Sequence, residues 1–233
     1  MAFDWLWSVT AHDVARLLPD VPKLRDLCRS VAVLEAILSP DWESRYYSFD
    51  GTWSPGGEEL AAMRNGSGDE YSIVFSPAGA YVRGFDHESP MSPYVDEDHE
   101  PWPGVLDSVP EVFRPCVEEP AFCDENVVPA VTACLWCETG DTRWHVGEIE
   151  YPEHWGDLDG AAGLFELLID PAPEAYQRFA RDYYEIPVDL EAVRHVYALR
   201  PLTREVISLL NAEFHMESLV QDLAAASYPV ADH

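Results

Sequence analysis

Lysine is almost absent from this chain. Lys23 is the only one, and Lys and Arg together number 14 against 43 Asp and Glu, a formal net charge of -29. So few cations exclude nucleic acid and anionic lipid as expected partners, because binding them requires phosphates to be neutralised by Lys or Arg. The charge instead suits a basic protein partner, with general acidity for solubility as the ordinary alternative. Long hydrophobic runs are also missing: none approaches the roughly 20 apolar residues that a membrane span requires. The opening stretch MAFDWLWSVTAHD has no basic n-region and carries Asp4, so it does not read as a secretory signal. Cysteine is scarce, odd in number at five, and scattered, which suits a reducing interior better than a disulfide framework. The expected location is the cytoplasm, with no membrane and no nucleic acid as partners.

What remains is apolar enough to fold. The 233 residues are 47% hydrophobic and include eight Trp, which points to a sizeable core. The pattern predicts a single α+β domain over 1–233, an antiparallel sheet of hairpins packed by N- and C-terminal helices. Residues 1–40 form a helical N-terminal segment, 44–152 a sheet-containing core and 158–228 a helical C-terminal part.

The core is organised around residues 44–93. Two strand-like runs, Tyr71–Phe75 and Ala80–Phe85, flank Ser76-Pro77-Ala78-Gly79, where Pro presets φ and Gly tolerates the exit of a type I turn. Tyr71, Ile73 and Phe75 alternate onto one face, which is expected to be buried. Arg45–Phe49 reads as a strand, and Glu58–Met63 fits either a strand or a helical turn. Upstream, Val14, Leu17, Leu18, Val21, Leu24, Leu27, Val31, Leu34 and Leu38 form a stripe at helical spacing. Pro19 and Pro22 should divide it into a short and a longer helix, with Thr10 and Asp13 as a capping box and Ser39-Pro40 as the stop.

Residues 86–126 read as loop with short helices near Val105 and Val112. They hold twelve acidic residues and a single Arg, Arg114. Pro129–Glu138 and Thr142–Tyr151 suggest a second hairpin. Beyond them, helices are expected over Ala161–Leu168, after Asp170-Pro171, and over Leu190–Tyr197, Arg204–Leu210 and Met216–Ala225. In the second of these, Tyr176, Phe179 and Tyr183 share a face.

Three motifs bear on chemistry. Asn65-Gly66-Ser67-Gly68 is followed by Asp69-Glu70 and a strand rather than by Lys-Ser/Thr and a helix, so it reads as a hairpin turn and not a phosphate loop. Cys134-Leu135-Trp136-Cys137 lies in an expected strand. Its two side chains should point to opposite faces with Cα atoms about 10 Å apart, beyond the roughly 7 Å limit for a disulfide. No second C-x-x-C offers a zinc site, so stoichiometric zinc is not expected. The histidine–carboxylate groups are Asp86-His87-Glu88 with Asp96-Glu97-Asp98-His99-Glu100, and His145, Glu148, Glu150, Glu153 and His154. In an extended segment Asp86 and Glu88 share one face, suited to a hard cation or a partner's Arg, while His87 and Ser89 share the other.

The run Met63-Arg64-Asn65-Gly66-Ser67-Gly68-Asp69-Glu70-Tyr71, with Gly84-Phe85-Asp86-His87-Glu88-Ser89 and Met91-Ser92-Pro93, resembles a group of uncharacterised bacterial proteins. That resemblance takes in the Trp144-His145 strand and the acidic C-terminal helices and carries over no catalytic residues. In size and charge the chain is also similar to immunity proteins of the SMI1/KNR4 type. The leading expectation is therefore a non-catalytic, immunity-like binding protein that uses Asp96, Glu97, Asp98, Glu100, Trp102, Glu118 and Glu119, without metal or cofactor. The alternative is a metal-assisted or acid–base hydrolase using Asp86, His87 and Glu88.

Overall fold

The computed structural model describes residues 9–153 and 156–229. Residues 1–8, on which the secretory-signal reading rests, and His154 of the second histidine–carboxylate group lie outside them. Among the described residues, helices accompany five strands: β1 (Tyr47–Asp50), β2 (Glu59–Arg64), β3 (Glu70–Ser76), β4 (Gly79–Phe85) and β5 (Ala133–Glu138). They form one sheet in the order β1-β2-β3-β4-β5, antiparallel at β3-β4 and β4-β5, and the fold is α+β. The chain divides into two compact units, one of residues 1–21 and 62–169, the other of residues 22–61 and 170–233, with the division falling inside β2.

In the first unit, α1 (Ala11–Leu17) opens where Asp13 accepts from the Thr10 backbone N–H at 3.2 Å, as the capping reading expects. It packs on β5 and on α4 (Ala161–Leu164). The central hairpin pairs Tyr71 with Gly84, Ile73 with Val82 and Phe75 with Ala80. Tyr71, Ile73 and Phe75 are buried, but so are Ser72 and Val74, so both faces of β3 are covered rather than one. Gly79 has φ +133°, and a Cβ there would lie 2.0 Å from the Cys137 carbonyl oxygen. The close approach of β5 therefore requires glycine as much as the turn does.

The expected second hairpin is only half present. β5 forms, but 142–151 contains no strand, and His145 alone bridges to Trp136 with reciprocal bonds of 2.8 and 3.0 Å. The chain then leaves the sheet to pass against Gly104, where a Cβ on Gly147 would meet the Gly104 carbonyl oxygen at 1.9 Å. Trp144 is pinned as well, its indole N–H donating to the Pro19 carbonyl at 2.8 Å. Near Val105 there is a turn, not a helix, closed by Val105 N–H to the Trp102 carbonyl at 3.1 Å. The expected helix near Val112 appears as a 3-10 turn at Glu111–Phe113 running into α3 (Arg114–Val117). Short α5 (Glu166–Ile169) follows α4.

In the second unit, α2 (Val21–Leu38) carries Pro22 in its first turn, where the missing N–H costs nothing, and ends ahead of Pro40. Leu24, Leu27, Val31, Leu34 and Leu38 of the expected stripe are all buried. The last turns are enclosed more widely, with Val33, Glu35, Ala36 and Ile37 buried too. Helices α6 (Pro173–Tyr184), α7 (Leu190–Tyr197) and α8 (Arg204–Leu210) pack in sequence, and α9 (Val220–Ala225) continues a 3-10 turn at Met216–Leu219. Tyr46 and Tyr47 stack edge-on against Phe179 of α6 at 5.0 and 5.3 Å between ring centroids.

Glu35 lies at the centre of this unit with no exposed surface. Its carboxylate accepts from Tyr176 Oη at 2.8 Å, Tyr184 Oη at 2.7 Å, and the N–H groups of Tyr46 and Tyr47 at 3.0 and 3.3 Å. Burial pushes its pKa up, and these four donors work against that shift. Glu35→Ala would strand four donors, each costing about 1–3 kcal/mol when left unsatisfied in the interior. Urea unfolding should show a stability loss of more than about 3 kcal/mol for that variant. Glu35→Gln, which keeps an acceptor oxygen, should lose clearly less, and equal losses would contradict the donor argument.

Candidate functional site

The residues past the end of β4 do not continue as an extended segment. Asp86 turns the chain: its Oδ1 accepts from Glu88 N–H at 2.8 Å, and its carbonyl accepts from Ser89 N–H at 3.3 Å. The shared face expected for Asp86 and Glu88 is therefore lost, because the aspartate side chain offers the backbone a local turn in place of the strand. Ser89 is buried, donates its hydroxyl to the Leu158 carbonyl at 2.7 Å and accepts from Met91 N–H at 3.0 Å. It is committed to structure and does not pair with His87.

His87 has a different partner, Asp69, which lies just before β3 and was not singled out in the sequence. Asp69 Oδ1 lies 2.6 Å from His87 Nδ1 and accepts from the His87 N–H at 3.1 Å. Its Oδ2 accepts from the Asn65 side-chain amide at 2.5 Å. Burial opposes ionisation of Asp69, but these bonds outweigh it and lower its pKa. The same hydrogen bond raises the pKa of His87. The Asn65-Gly66-Ser67-Gly68 turn thus positions a carboxylate, with Asn65 Oδ1 accepting from Ser67 and Asp69 N–H groups at 2.8 and 3.1 Å. One potential ligand atom each from Asp69, Asp86 and His87 lie within 4.8 Å of one another. Glu88 is exposed beside them.

Behind Asp86 lies Asp157-Leu158-Asp159-Gly160. Asp159 has no exposed surface and accepts from Ala11 N–H at 2.8 Å, Ala161 N–H at 3.1 Å and Tyr151 Oη at 3.0 Å. Thr132 joins the two segments, donating to the Asp159 carbonyl at 2.7 Å and accepting from Asp86 N–H at 3.1 Å. Gly160 has φ +74°, and a Cβ there would come 2.3 Å from Asp86 Cβ. Asp157 is less well served. Its Oδ1 is buried without a hydrogen-bond partner, although Oδ2 accepts from Gly163 N–H at 3.2 Å. Burial, with the nearby charges of Asp159 and Asp86, pushes its pKa up to about 7.

The acidic loop residues form a separate region. Asp96, Glu97, Asp98, Glu100 and Glu118 are exposed, and Glu119 is partly so. His99 lies 5.9 Å from the Tyr94 ring and within electrostatic reach of Asp124. Asp124 in turn acts on Tyr94, and Asp124 and Glu119 both act on the Cys123 thiol. The stretches 94–99 and 119–124 thus meet near Tyr94 and Cys123. Tyr94, Val95 and Val127 are the large apolar residues exposed on or beside these stretches, at 38%, 64% and 68%. Val127 adopts φ +65°, an unusual conformation for a β-branched residue. Trp102 does not stand free, since its indole N–H donates to the Glu150 carbonyl at 3.0 Å. Tyr94-Val95, an apolar pair directly ahead of Asp96-Glu97-Asp98, is the signal in the sequence that could have marked this face.

Of the remaining candidates, Glu150 meets the acidic loop through its carbonyl, which accepts from Trp102. His145 pairs with Asp141 at 3.2 Å and stacks on Trp136. Cys134 and Cys137 are buried in β5, across from Arg83 and Ala80, and all five cysteines are free thiols.

Asp157 makes stability depend on pH in a definite direction. Its folded pKa lies above the ordinary 3.8, so it holds its proton longer folded than unfolded. Its contribution is full below pH 3.8 and is lost as pH rises through about 7. Asp157→Asn should flatten that decline and leave the protein more stable than wild type at pH 8, as read from urea midpoints. An unchanged pH profile would show that Asp157 ionises freely.

Comparison with protein-family models, with curated proteins and with solved structures finds no match to this chain.

Proposed function

We propose that the protein is a non-catalytic binding module that holds a basic protein partner on the face around Tyr94, as an immunity protein holds its toxin. The exposure of Tyr94, Val95 and Val127 on two acidic segments that Asp124 links through Tyr94 and His99 carries this reading. Apolar and aromatic groups inside a charged rim are the usual anatomy of a protein interface. Asp96, Glu97, Asp98, Glu100, Glu118 and Glu119 supply the rim, and Trp102 braces the loop from behind through Glu150. A surplus of 29 negative charges steers a cationic partner toward it and repels nucleic acid and anionic lipid. No described helix is long and apolar enough to cross a membrane. Five free thiols fit a reducing compartment, and the cytoplasm is the location we propose.

Binding should weaken as salt rises, because exposed charges are screened over about 10 Å at 0.1 M. Changing Asp96, Glu97 and Asp98 together to Asn, Gln and Asn should slow association roughly tenfold with little effect on dissociation. Tyr94→Ala should act mainly on dissociation. Surface plasmon resonance against the captured partner separates the two. A partner bound equally well by the triple variant and at high salt would place the interface elsewhere.

A second reading draws on the Asp69, Asp86 and His87 ligand atoms within 4.8 Å of one another. Mixed carboxylate and imidazole donors suit Mn²⁺ or Zn²⁺, and a bound ion would give the hydrolase alternative, with Glu88 alongside as a base. Calorimetric titration with either metal should show one site, lost in His87→Ala and in Asp69→Asn. Absence of binding at millimolar metal would remove the hydrolase reading.

A further inference from the structure

The second unit contains a cavity of about 170 Å³ lined by Ala32 of α2 and by residues of 42–50 and 222–226. Phe49 and three alanines make its apolar wall, and Arg45, Ser48, Asp50 and Asp222 bring polar groups. Trp42 completes the lining and remains 51% exposed.

Arg45 is not free to meet a ligand. Its Nη1 and Nη2 donate to Asp222 at 2.5 and 3.3 Å, its Nε to the Ser39 carbonyl at 3.0 Å, and its Nη2 also to the Pro40 carbonyl at 3.1 Å. Its Cζ lies 5.3 Å from the centroid of the Trp42 ring. The wall therefore already holds one guanidinium between a carboxylate and an indole. Asp50 is the carboxylate left over. Its Oδ1 accepts from the Thr52 N–H at 2.8 Å and hydroxyl at 3.0 Å, which leaves Oδ2 without a protein partner among the described residues.

Size and charge select the occupant. Small-molecule sites usually enclose about 300–1,000 Å³, so a cavity of about 170 Å³ suits one side chain rather than a cofactor. Arg45 offsets Asp222, Asp50 is uncompensated, and the whole chain carries -29, so the side chain is cationic. A planar guanidinium can lie flat on an indole while its edge N–H groups donate to a carboxylate oxygen, a geometry that the compact ammonium of lysine matches less well. We propose that this cavity receives an arginine side chain presented by a basic protein partner. The assignment rests on the cationic-partner reading, but it concerns a different unit from the Tyr94 face.

The test uses the full chain labelled with ¹⁵N, read at the tryptophan indole N–H signals and titrated with Nα-acetyl-arginine amide. The Trp42 signal is the one missing from Trp42→Phe, a half-exposed position where the other indole signals report that folding is intact. That signal should move saturably with a dissociation constant in the roughly millimolar range expected of a single side chain. The lysine derivative should bind several-fold more weakly, and the citrulline derivative, which matches arginine in shape but is uncharged, should not move it. Asp50→Asn should weaken binding about tenfold by removing a charge-assisted hydrogen bond. No saturable movement at Trp42, an equal response to citrulline, or an unchanged response in Asp50→Asn would each overturn the site. The triple change at Asp96, Glu97 and Asp98 leaves this titration untouched. A null titration beside intact, salt-dependent partner binding therefore removes the arginine site alone, and partner binding that the triple change leaves unaltered, beside a normal titration, removes the Tyr94 face alone.

Discussion

A carboxylate removed from water must be supplied with donors, and in a chain with 14 Lys and Arg for 43 acids those donors are seldom cations. Each compact unit depends on one such group. Glu35 gathers the last turns of α2, the entry to β1 and both ends of α6 through two tyrosine hydroxyls and two backbone N–H groups. Asp159 gathers the start of α1, the start of α4 and Tyr151 in the same manner. Removing either acceptor would leave several buried donors unpaired in segments distant in sequence, so the penalty falls on the packing of the whole unit.

The buried cations follow the same economy. Arg83 is 3% exposed and is placed by the Ala130 carbonyl, by Glu70 and by the face of Phe122, with its Nε left unbonded. Arg45 is held by Asp222, two carbonyls and Trp42. With most cations spent inside or in short-range surface pairs, the remaining carboxylates gather in the loops beyond β4. A hairpin buried on both faces holds the start of those loops rigidly, and that is where a binding surface gains most from a fixed scaffold.

The site was legible in composition more than in geometry. A run such as Asp96-Glu97-Asp98 can only be solvated or bind a cation, so its exposure followed from residue type. The partner of His87 did not follow. Asp69 is eighteen residues away, and only the β3-β4 register brings the turn before β3 beside the end of β4. Asp86-His87-Glu88 read as extended because the strand before it is, yet Asp86 caps its own turn. Asp157-Leu158-Asp159-Gly160 precedes a helix and resembles an ordinary cap. Nothing local marks Asp159 as buried or one oxygen of Asp157 as unpaired.

The sequence by itself determined the elements whose signals are local. Apolar residues at helical spacing, broken by Pro19 and Pro22, set α1 and α2, and the alternation around Ser76-Pro77-Ala78-Gly79 set β3 and β4, because side-chain period and turn chemistry act over a few residues. Pro40 and Pro171 likewise stand two residues past the ends of α2 and α5, where the missing N–H forbids continuation. Tertiary structure alone decided the fate of 142–151, which has strand-like residues but is drawn off the sheet by Gly147 against Gly104 and by Trp144 against Pro19. It alone decided that Glu35, a polar residue on a helix, would be fully enclosed, since its four donors come from residues 46, 47, 176 and 184. Burial is a property of what the rest of the chain places around a residue, and a fully enclosed carboxyl group persists only where distant segments happen to bring it hydrogen bonds.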